Sequence, residues 1–356
     1  MIKIGIICPS EIAFRRFLPA LQKANNEIQF AGIAIASPEE WFGDVSKVSE
    51  TTIQEQQERE RSKAQGFIDN YGGKIYNSYH AICETPEIDA LYTPLPPALH
   101  YKWAKLALEH GKHVFVEKPS TICLADTKEL VRLANEKRLA LHENYMFVFH
   151  DQLKALDKVV KDGEIGQVRL YRISFGFPMR AKNDFRYNKA LGGGALLDAG
   201  GYCMKYASYL LGDSARLTTA QANYLNDFEV DMYGSATMVN DAGQIAQIAF
   251  GMDNDYKCEI EIWGSQGTIV SNRILTAPAG FVPTYTIKKN QDYETRELPA
   301  DDAFYKSILR FTHCVKNEII RKENYQQLLK QESLVEQFKQ LANLEYQNEA
   351  ITNYWG

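Results

Sequence analysis

The sequence predicts an α/β protein in two parts. The first is an N-terminal doubly wound parallel sheet, and the second is a C-terminal α+β domain with a large open, mainly antiparallel sheet. Three observations predict it. Strand and helix signals alternate over the first 120 residues, the pattern of βαβ units. After Pro119 the chain turns into a succession of strands separated by hairpin signals. Its 356 residues also exceed what one ordinary core holds. The boundary is expected near 122, giving domains 1–122 and 123–356.

Ile2–Cys8 is a short β-branched run, read as the first strand. From Glu11 to Lys23, Phe14, Phe17, Leu18 and Leu21 share one face of an amphipathic helix. Phe30–Ser37 is the second strand. Residues 38–63 read as an insertion at its end, because the run Gln54–Arg61 is too polar to bury and suits a solvated helix or a loop. Ala64–Tyr71 is a helix closed by Gly72-Gly73, followed by a short strand, Lys74–Tyr76. Ile88–Thr93 and His113–Val116 are further strands, separated by a helix Tyr101–Glu109 that Gly111 stops. Right-handed crossovers then make these strands parallel, with ligands expected beyond their carboxyl ends, where Cys8, Ser37, Thr93 and Glu117 fall. Asp126–Lys137 is expected to be a helix crossing between domains, Ala140–Glu143 a strand and Gln152–Lys161 a helix. Strands are expected at 168–177, 216–225, 230–240, 244–252, 257–263, 267–271 and 284–289. Helices at Asp302–Lys316 and Tyr325–Glu345 complete the chain.

A formal charge of −5 offers no basic field to nucleic acid or anionic lipid. No stretch approaches the ~20 apolar residues of a membrane span, and the opening segment lacks the basic leader of a signal peptide. Six scattered cysteines without a C-x-x-C pair indicate a reducing cytoplasm rather than a disulfide framework or zinc site. His142, Glu143 and His150 match no metal-ligand spacing, so no metal is expected.

A strand running into a helix is where a dinucleotide pyrophosphate rests on helix N-terminal amides. The glycine-rich fingerprint of such a turn falls on Cys8, Pro9, Ser10, Glu11, Ile12 and Ala13, of which only Ala13 obeys it. Cys8 and Ser10 replace glycines, Pro9 has no N–H, and Glu11 sets a negative charge near the anion. The cradle is altered, although Ser10 is small and carries a donor. The second strand ends at Ser37 with no carboxylate in place for a ribose hydroxyl, although Glu39 and Glu40 follow. Arg59, Arg61 and Lys63 are cations that the insertion can return toward a 2′-phosphate. This favours NADP(H), with NAD(H) the alternative.

Three segments carry a resemblance: Thr93-Pro94-Leu95-Pro96-Pro97-Ala98-Leu99-His100, Gly111 through Glu117-Lys118-Pro119, and Gly192-Gly193-Gly194 through Asp198-Ala199-Gly200-Gly201-Tyr202-Cys203. In this order and spacing the chain resembles the glucose–fructose oxidoreductase, inositol dehydrogenase and rhizopine-catabolism (Gfo/Idh/MocA) family. Tyr202 is similar to the branch that holds xylose dehydrogenase and dimeric dihydrodiol dehydrogenase. The resemblance implies a Rossmann domain and hydride transfer between a nicotinamide cofactor and a sugar, polyol or related hydroxylated carbonyl compound.

It also implies roles. Lys118 is expected beside the nicotinamide, hydrogen-bonding the reacting hydroxyl, and Tyr202 is the acid/base. A free phenol loses its proton near pH ~10, so Tyr202 needs a cation such as Lys118 nearby. Asp198, four residues earlier on a helix spanning 196–210, is the third catalytic residue, orienting substrate or holding Lys118 charged. Glu117 is expected on the cofactor ribose, Pro119 at the turn, and Thr93, Pro94 and His100 along the nicotinamide, unless His100 caps the helix near Tyr101. Arg186, with Tyr187 and Lys189, is expected to bind substrate hydroxyls. A catalytically silent cofactor or sugar sensor of the same fold is the alternative, which the altered cradle favours and the intact Lys118, Asp198 and Tyr202 oppose. A redox-assisted glycosidase is disfavoured, because no second catalytic carboxylate stands out. The open sheet is expected to pair copies of the chain into a homodimer or homotetramer.

Overall fold

The computed structural model describes residues 1–344, which form two compact units. The first comprises Met1–Asn144 and Ser307–Leu329; the second comprises Tyr145–Lys306 and 330–344. The strand Leu141–Glu143 and the helix Leu124–Lys137 before it, expected beyond the boundary at 122, thus belong to the first unit, as does a segment from late in the chain.

In the first unit six strands lie parallel: β1 (Ile2–Ile7), β2 (Ile28–Ala34), β3 (Lys74–Tyr76), β4 (Ala90–Thr93), β5 (His113–Val116) and β6 (Leu141–Glu143). Their order is β3-β2-β1-β4-β5-β6, so the winding reverses between β1 and β4. A crevice at such a reversal, beyond the strands' carboxyl ends, is where doubly wound sheets bind ligands. Ile4, Ile6 and Ile7 are fully buried, as a strand covered on both faces requires. The helices here are α1 (Leu18–Lys23), preceded by a π-helical stretch Ala13–Phe17, then α2 (Pro38–Phe42), α3 (Glu50–Tyr71), α4 (Tyr79–Glu84), α5 (Pro97–Glu109) and α6 (Leu124–Lys137). The helix α6, expected to cross between domains, instead links β5 to β6 within this sheet.

The insertion takes a different form from the one expected. Ala64–Tyr71 is the last part of one 22-residue helix, α3, capped by the Ser49 hydroxyl accepting from the Thr52 N–H and closed by Gly72 at φ 74°. Its buried positions are Gln56, Glu60, Ala64 and Phe67, a helical stripe whose first two members are polar and so hid it. The Gln57 amide donates to the Ala36 carbonyl at 2.8 Å, and Phe67 packs edge-on against Phe14.

The second unit opens with α7 (Asp151–Lys161), β7 (Val168–Gly176), a second π-helical stretch Leu196–Gly200 and α8 (Gly201–Leu211). Then follow β8 (Arg216–Tyr224), β9 (Asp231–Val239), β10 (Ile245–Gly251), β11 (Lys257–Gly264), β12 (Thr268–Asn272), β13 (Thr284–Lys289) and β14 (Asp292–Glu297). The sheet order is β14-β13-β12-β11-β7-β10-β9-β8, antiparallel except for β7 against β10. Side chains alternate: Ile173, Ile248 and Ile260 are buried, while Arg172, Gln247 and Trp263 lie exposed. The edge strand β14 reads Asp-Tyr-Glu-Thr-Arg-Glu, which has no apolar alternation to betray it and whose charges suit a solvated edge.

Two long helices, α9 (Ala303–Lys316) and α10 (Glu318–Ala342), follow. The residues after 344, including the end of the helix expected to reach Glu345, lie outside the described residues. In the first unit Phe311 packs on Phe115, and Tyr325 and Leu328 join the core beneath α5 and α6.

Candidate active-site residues

In the first unit Cys8 opens the turn after β1 with φ 81°, the left-handed conformation in which a glycine would be unstrained. Burial, reinforced by the Glu60 carboxylate, pushes its thiol up to about 12, so it is no nucleophile. Ser10 turns its hydroxyl inward to accept from the Ala13 N–H, and Glu11 and Ile12 are exposed at the helix start. The Glu11 carboxylate is drawn back along the helix to Arg15 and away from the cradle. The turn therefore keeps the backbone shape and the open helix start that a pyrophosphate needs, and its residues fit a dinucleotide despite the lost glycines.

At the end of β2, Ser37 caps α2: its hydroxyl accepts from the Glu40 N–H and donates to Glu39 at 2.9 Å. Glu40 is buried. Its carboxylate accepts from the backbone N–H groups of Ser37, Tyr79 and His80 at 2.8, 2.8 and 3.0 Å and meets His80 Nδ1 at 2.6 Å. That carboxylate is committed to the fold, which leaves exposed Glu39 as the acidic group at this strand end. Of the three cations expected here, Arg61 donates to Asn77 and Lys63 to Glu60. Arg59 is exposed, with its Nε 4.0 Å from the Glu60 carboxylate and its guanidinium 5.7 Å from the Trp41 ring.

Thr93, Pro94 and His100 are buried. His100 sits in the first turn of α5, so it is not a cap before that helix. Its Nδ1 lies 2.7 Å from the Pro119 carbonyl and its Nε2 2.7 Å from the Leu95 carbonyl. Burial lowers its pKa to about 4, and the neutral ring then donates to one of these carbonyls at a time. Both nitrogens are turned to backbone, so the ring braces the loops after β4 and β5 and is not presented to a nicotinamide. Lys118, half-buried, precedes Pro119 through a cis peptide bond. Glu117 is likewise turned inward: it accepts from the Tyr92 hydroxyl at 2.6 Å and from the Asn144 amide at 2.7 Å. Burial raises its pKa, against these bonds and the Lys118 charge. His142 Nε2 meets the Ser307 hydroxyl at 2.9 Å, Ser307 donates to Asn144, and Asn144 donates to Glu117. His142 thus serves this internal chain, while Glu143 accepts from the Ser120 N–H and His150 caps α7.

In the second unit the turn Phe185–Tyr187 is capped by Asp184 and carries Arg186. Arg186 Nε donates to Asp198 at 2.7 Å and Nη1 to Asp184 at 3.0 Å, with the guanidinium 4.5 Å from the Phe185 ring. Burial opposes its charge, but Asp198 and Asp184 outweigh that and hold it above the ordinary guanidinium value. Arg186 is thus occupied with two carboxylates rather than open to sugar hydroxyls. The backbone of the same turn dictates the middle residue of the triple glycine. A Cβ on Gly193 would lie 2.4 Å from the Arg186 carbonyl oxygen, while the Gly194 N–H donates to that oxygen at 2.9 Å.

Asp198 falls in the π-helical stretch, where the widened turn replaces the α-helical spacing expected between it and Tyr202. The N-terminal side of this stretch is held by Asp231, which accepts from the Leu196 N–H at 2.6 Å. Tyr202, at the start of α8, is 9% exposed among Tyr145, Phe147 and Phe175, with ring centroids 5.2–5.7 Å apart. Gly201 is required beside it, since a Cβ there would lie 2.2 Å from the Tyr145 hydroxyl. Asp231 and Tyr145 escaped the sequence reading, and Glu40 was read only as an acidic neighbour of the second strand, because isolated residues leave no spacing signal.

Two family profiles match. The profile of the oxidoreductase family with NAD-binding Rossmann fold covers residues 2–145, and that of the GFO/IDH/MocA C-terminal domain covers 153–270. A dTDP-3,4-didehydro-2,6-dideoxy-alpha-D-glucose 3-reductase from Actinomadura kijaniata is 34% identical, covering 94% of each chain. A D-xylose 1-dehydrogenase (NADP(+)) from Haloferax volcanii is 24% identical over 88% of each. The crystal structure of KijD10, a 3-ketoreductase from Actinomadura kijaniata in complex with NADP and TDP-benzene, superposes with a TM-score of 0.85 at 34% identity, covering 96% of this chain and 98% of the other. The chain belongs to the GFO/IDH/MocA family of NAD(P)-dependent oxidoreductases, and a catalytically silent sensor is not favoured.

Proposed function

We propose that this family member is an NADP(H)-dependent ketoreductase acting on a nucleoside-diphosphate-linked deoxy sugar, with Lys118 and Tyr202 as its catalytic residues. One observation carries the residue assignment. KijD10 has been solved with a single lysine replaced and with a single tyrosine replaced, at positions 84 residues apart; Lys118 and Tyr202 are separated by the same 84 residues. The substrate class follows the four 3-reductases at 29–36% identity.

The bound cofactor supplies hydride to the sugar carbonyl. Tyr202 donates its proton to the oxygen that becomes a hydroxyl, and the Lys118 ammonium stabilises the negative charge that builds there. The aromatic walls around Tyr202 keep water from competing for that proton. Arg186 orients Asp198, which takes a substrate hydroxyl. Cys8 through Ala13 hold the pyrophosphate, and Arg59 offers a cation to the 2′-phosphate, with Glu39 opposing it.

The test is loss of NADPH absorbance with a dTDP-linked 3-keto deoxy sugar. Lys118→Met and Tyr202→Phe should each abolish most turnover while leaving NADPH binding; near-normal rates in either would refute the assignment. Two coarser readings complete the proposal. Six cysteines with no disulfide among the described residues suit a reducing cytoplasm. Trp263, Tyr233 and Ile245 on the outward face of the second sheet suit association of identical chains, with Arg172, Gln247 and Glu261 adding polar surface to that face. Sedimentation as a monomer at micromolar concentration would remove the latter.

A further inference from the structure

The segment between β7 and the triple glycine stands out electrostatically. Residues 177–191 carry Arg180, Lys182, Arg186 and Lys189 against a single carboxylate, Asp184, in a chain of net charge −5. Arg186 spends its charge on Asp184 and Asp198. Arg180, Lys182 and Lys189 are exposed, and among the described residues none has a carboxylate within ion-pair distance. Other cations of the same unit, such as Lys154, Lys158 and Arg172, each rest on a carboxylate. Like charges left unpaired on one loop repel one another, and a polyanion relieves that repulsion.

The loop is also built, and it carries aromatic surface. The Arg180 N–H donates to the Tyr187 hydroxyl at 2.7 Å, which ties the start of the loop to the turn holding Arg186. The Arg180 guanidinium lies 5.4 Å from the Phe177 ring. Phe228, from the β8–β9 connection, meets the Tyr187 ring at 5.1 Å. Asp227 and Glu229 flank Phe228 and repel phosphate, which places an anion on the Arg180 side. They also offer acceptors to the imide N–H that thymine and uracil present.

We propose that Phe177–Lys189 with Phe228 form the subsite for the nucleoside diphosphate of a pyrimidine-nucleotide-linked sugar. Arg180 and Lys182 take the diphosphate, and Tyr187 and Phe228 take the base. The inference rests on the nucleotide-sugar reading above and locates its recognition on a short segment that leads directly to the Arg186–Asp198 pair.

The experiment is calorimetric titration of the intact protein with dTDP, alongside NADPH titration by fluorescence. Wild type should bind dTDP. An Arg180→Glu/Lys182→Glu double variant should weaken it by about tenfold or more, and Phe228→Ala should weaken it without changing its salt dependence. NADPH affinity should stay within about twofold in every variant, which establishes that the protein is folded. Equal dTDP affinity in wild type and the double variant would overturn the subsite and leave the substrate class standing. Failure of wild type to bind dTDP while binding NADPH would overturn both.

Discussion

Replacing Gly193 by alanine should be among the most damaging methyl additions in the second unit. The new Cβ would sit 2.4 Å from the Arg186 carbonyl oxygen, 2.7 Å from the Arg186 carbonyl carbon and 2.8 Å from the Asn188 carbonyl oxygen. All three are backbone atoms, so no side chain can rotate away. Relief requires a displacement of about 1 Å, at an overpacking cost of about 1–3 kcal/mol. That displacement strains the bonds from the Gly193 N–H to the Asn188 carbonyl (3.0 Å) and from the Gly194 N–H to the Arg186 carbonyl (2.9 Å), each worth about 1 kcal/mol. The sum is about 3–5 kcal/mol, a fall in melting temperature of about 10 °C for a unit of this size. Gly212→Ala is the control: its φ of 77° strains alanine, but nothing lies within 4 Å, so about 1 kcal/mol and a few degrees are expected. Scanning calorimetry of both variants decides the matter. A Gly193→Ala transition within about 2 °C of wild type, or one above that of Gly212→Ala, would refute the steric account. Because the strained carbonyl belongs to Arg186, turnover should also fall, by about a hundredfold for a displacement of this size.

Glu40→Ala should cost the first unit about 3–5 kcal/mol, because it removes one acceptor from three backbone N–H groups and an imidazole. Glu40→Gln should recover part of that; urea denaturation followed by the fluorescence of Trp103, which touches Tyr79 and His80, reads both. Burial, reinforced by Arg321, lowers the His113 pKa to about 4, and its Nδ1 accepts from the Ala140 N–H at 2.9 Å. The unfolded chain binds that proton near pH 6.5, so stability is full above about 6.5 and is lost as pH falls toward 4, by about 2 kcal/mol after allowance for partial exposure. His113→Asn keeps an acceptor and should flatten the stability–pH curve in that window; an unchanged slope would count against it. Cys8→Gly should leave stability within about 1 kcal/mol, since relief of the left-handed strain offsets the entropy of glycine, and it should tighten NADPH binding. Weaker binding would show that the Cys8 side chain contributes to the cradle.

Elements whose burial is carried by apolar residues were legible in the sequence. β1, β4 and β5 are short β-branched or aromatic runs stopped by proline or a charged turn, and β7 to β13 alternate as a half-solvated sheet must. Where burial is carried by polar groups the pattern was silent. The stripe of α3 includes Gln56 and Glu60, so half of a long helix read as a solvated insertion. α10 begins at Glu318 rather than Tyr325, because its first turns are anchored by Arg321 to the Cys314 carbonyl and by Asn324 to the Leu141 carbonyl. The same holds for the candidate site. Lys118, Asp198 and Tyr202 stand in motifs whose spacing can be read. The brace of His100, the internal bonding of Glu117 and the occupation of Arg186 by Asp198 depend on partners that no spacing encodes.

The first unit is assembled from two stretches of chain, and this has a consequence for how it is made. Tyr325 donates to the Leu139 carbonyl, Asn324 donates to the Leu141 carbonyl, and Phe311 covers Phe115. The sheet reaches β6 by residue 143, yet its cover begins at Ser307, after roughly 160 residues that build the other unit. At a synthesis rate of about 5–20 residues per second, the flank of β5 and β6 waits on the order of ten to thirty seconds for its partner. The second unit waits longer still, because its own last stretch begins at Lys330, where Gln331 donates to the Gly201 carbonyl and Phe338 packs on Phe250, so neither unit is complete until α10 has been made. A fragment ending before Ser307 would leave that apolar flank permanently open, and it should precipitate where the whole chain does not.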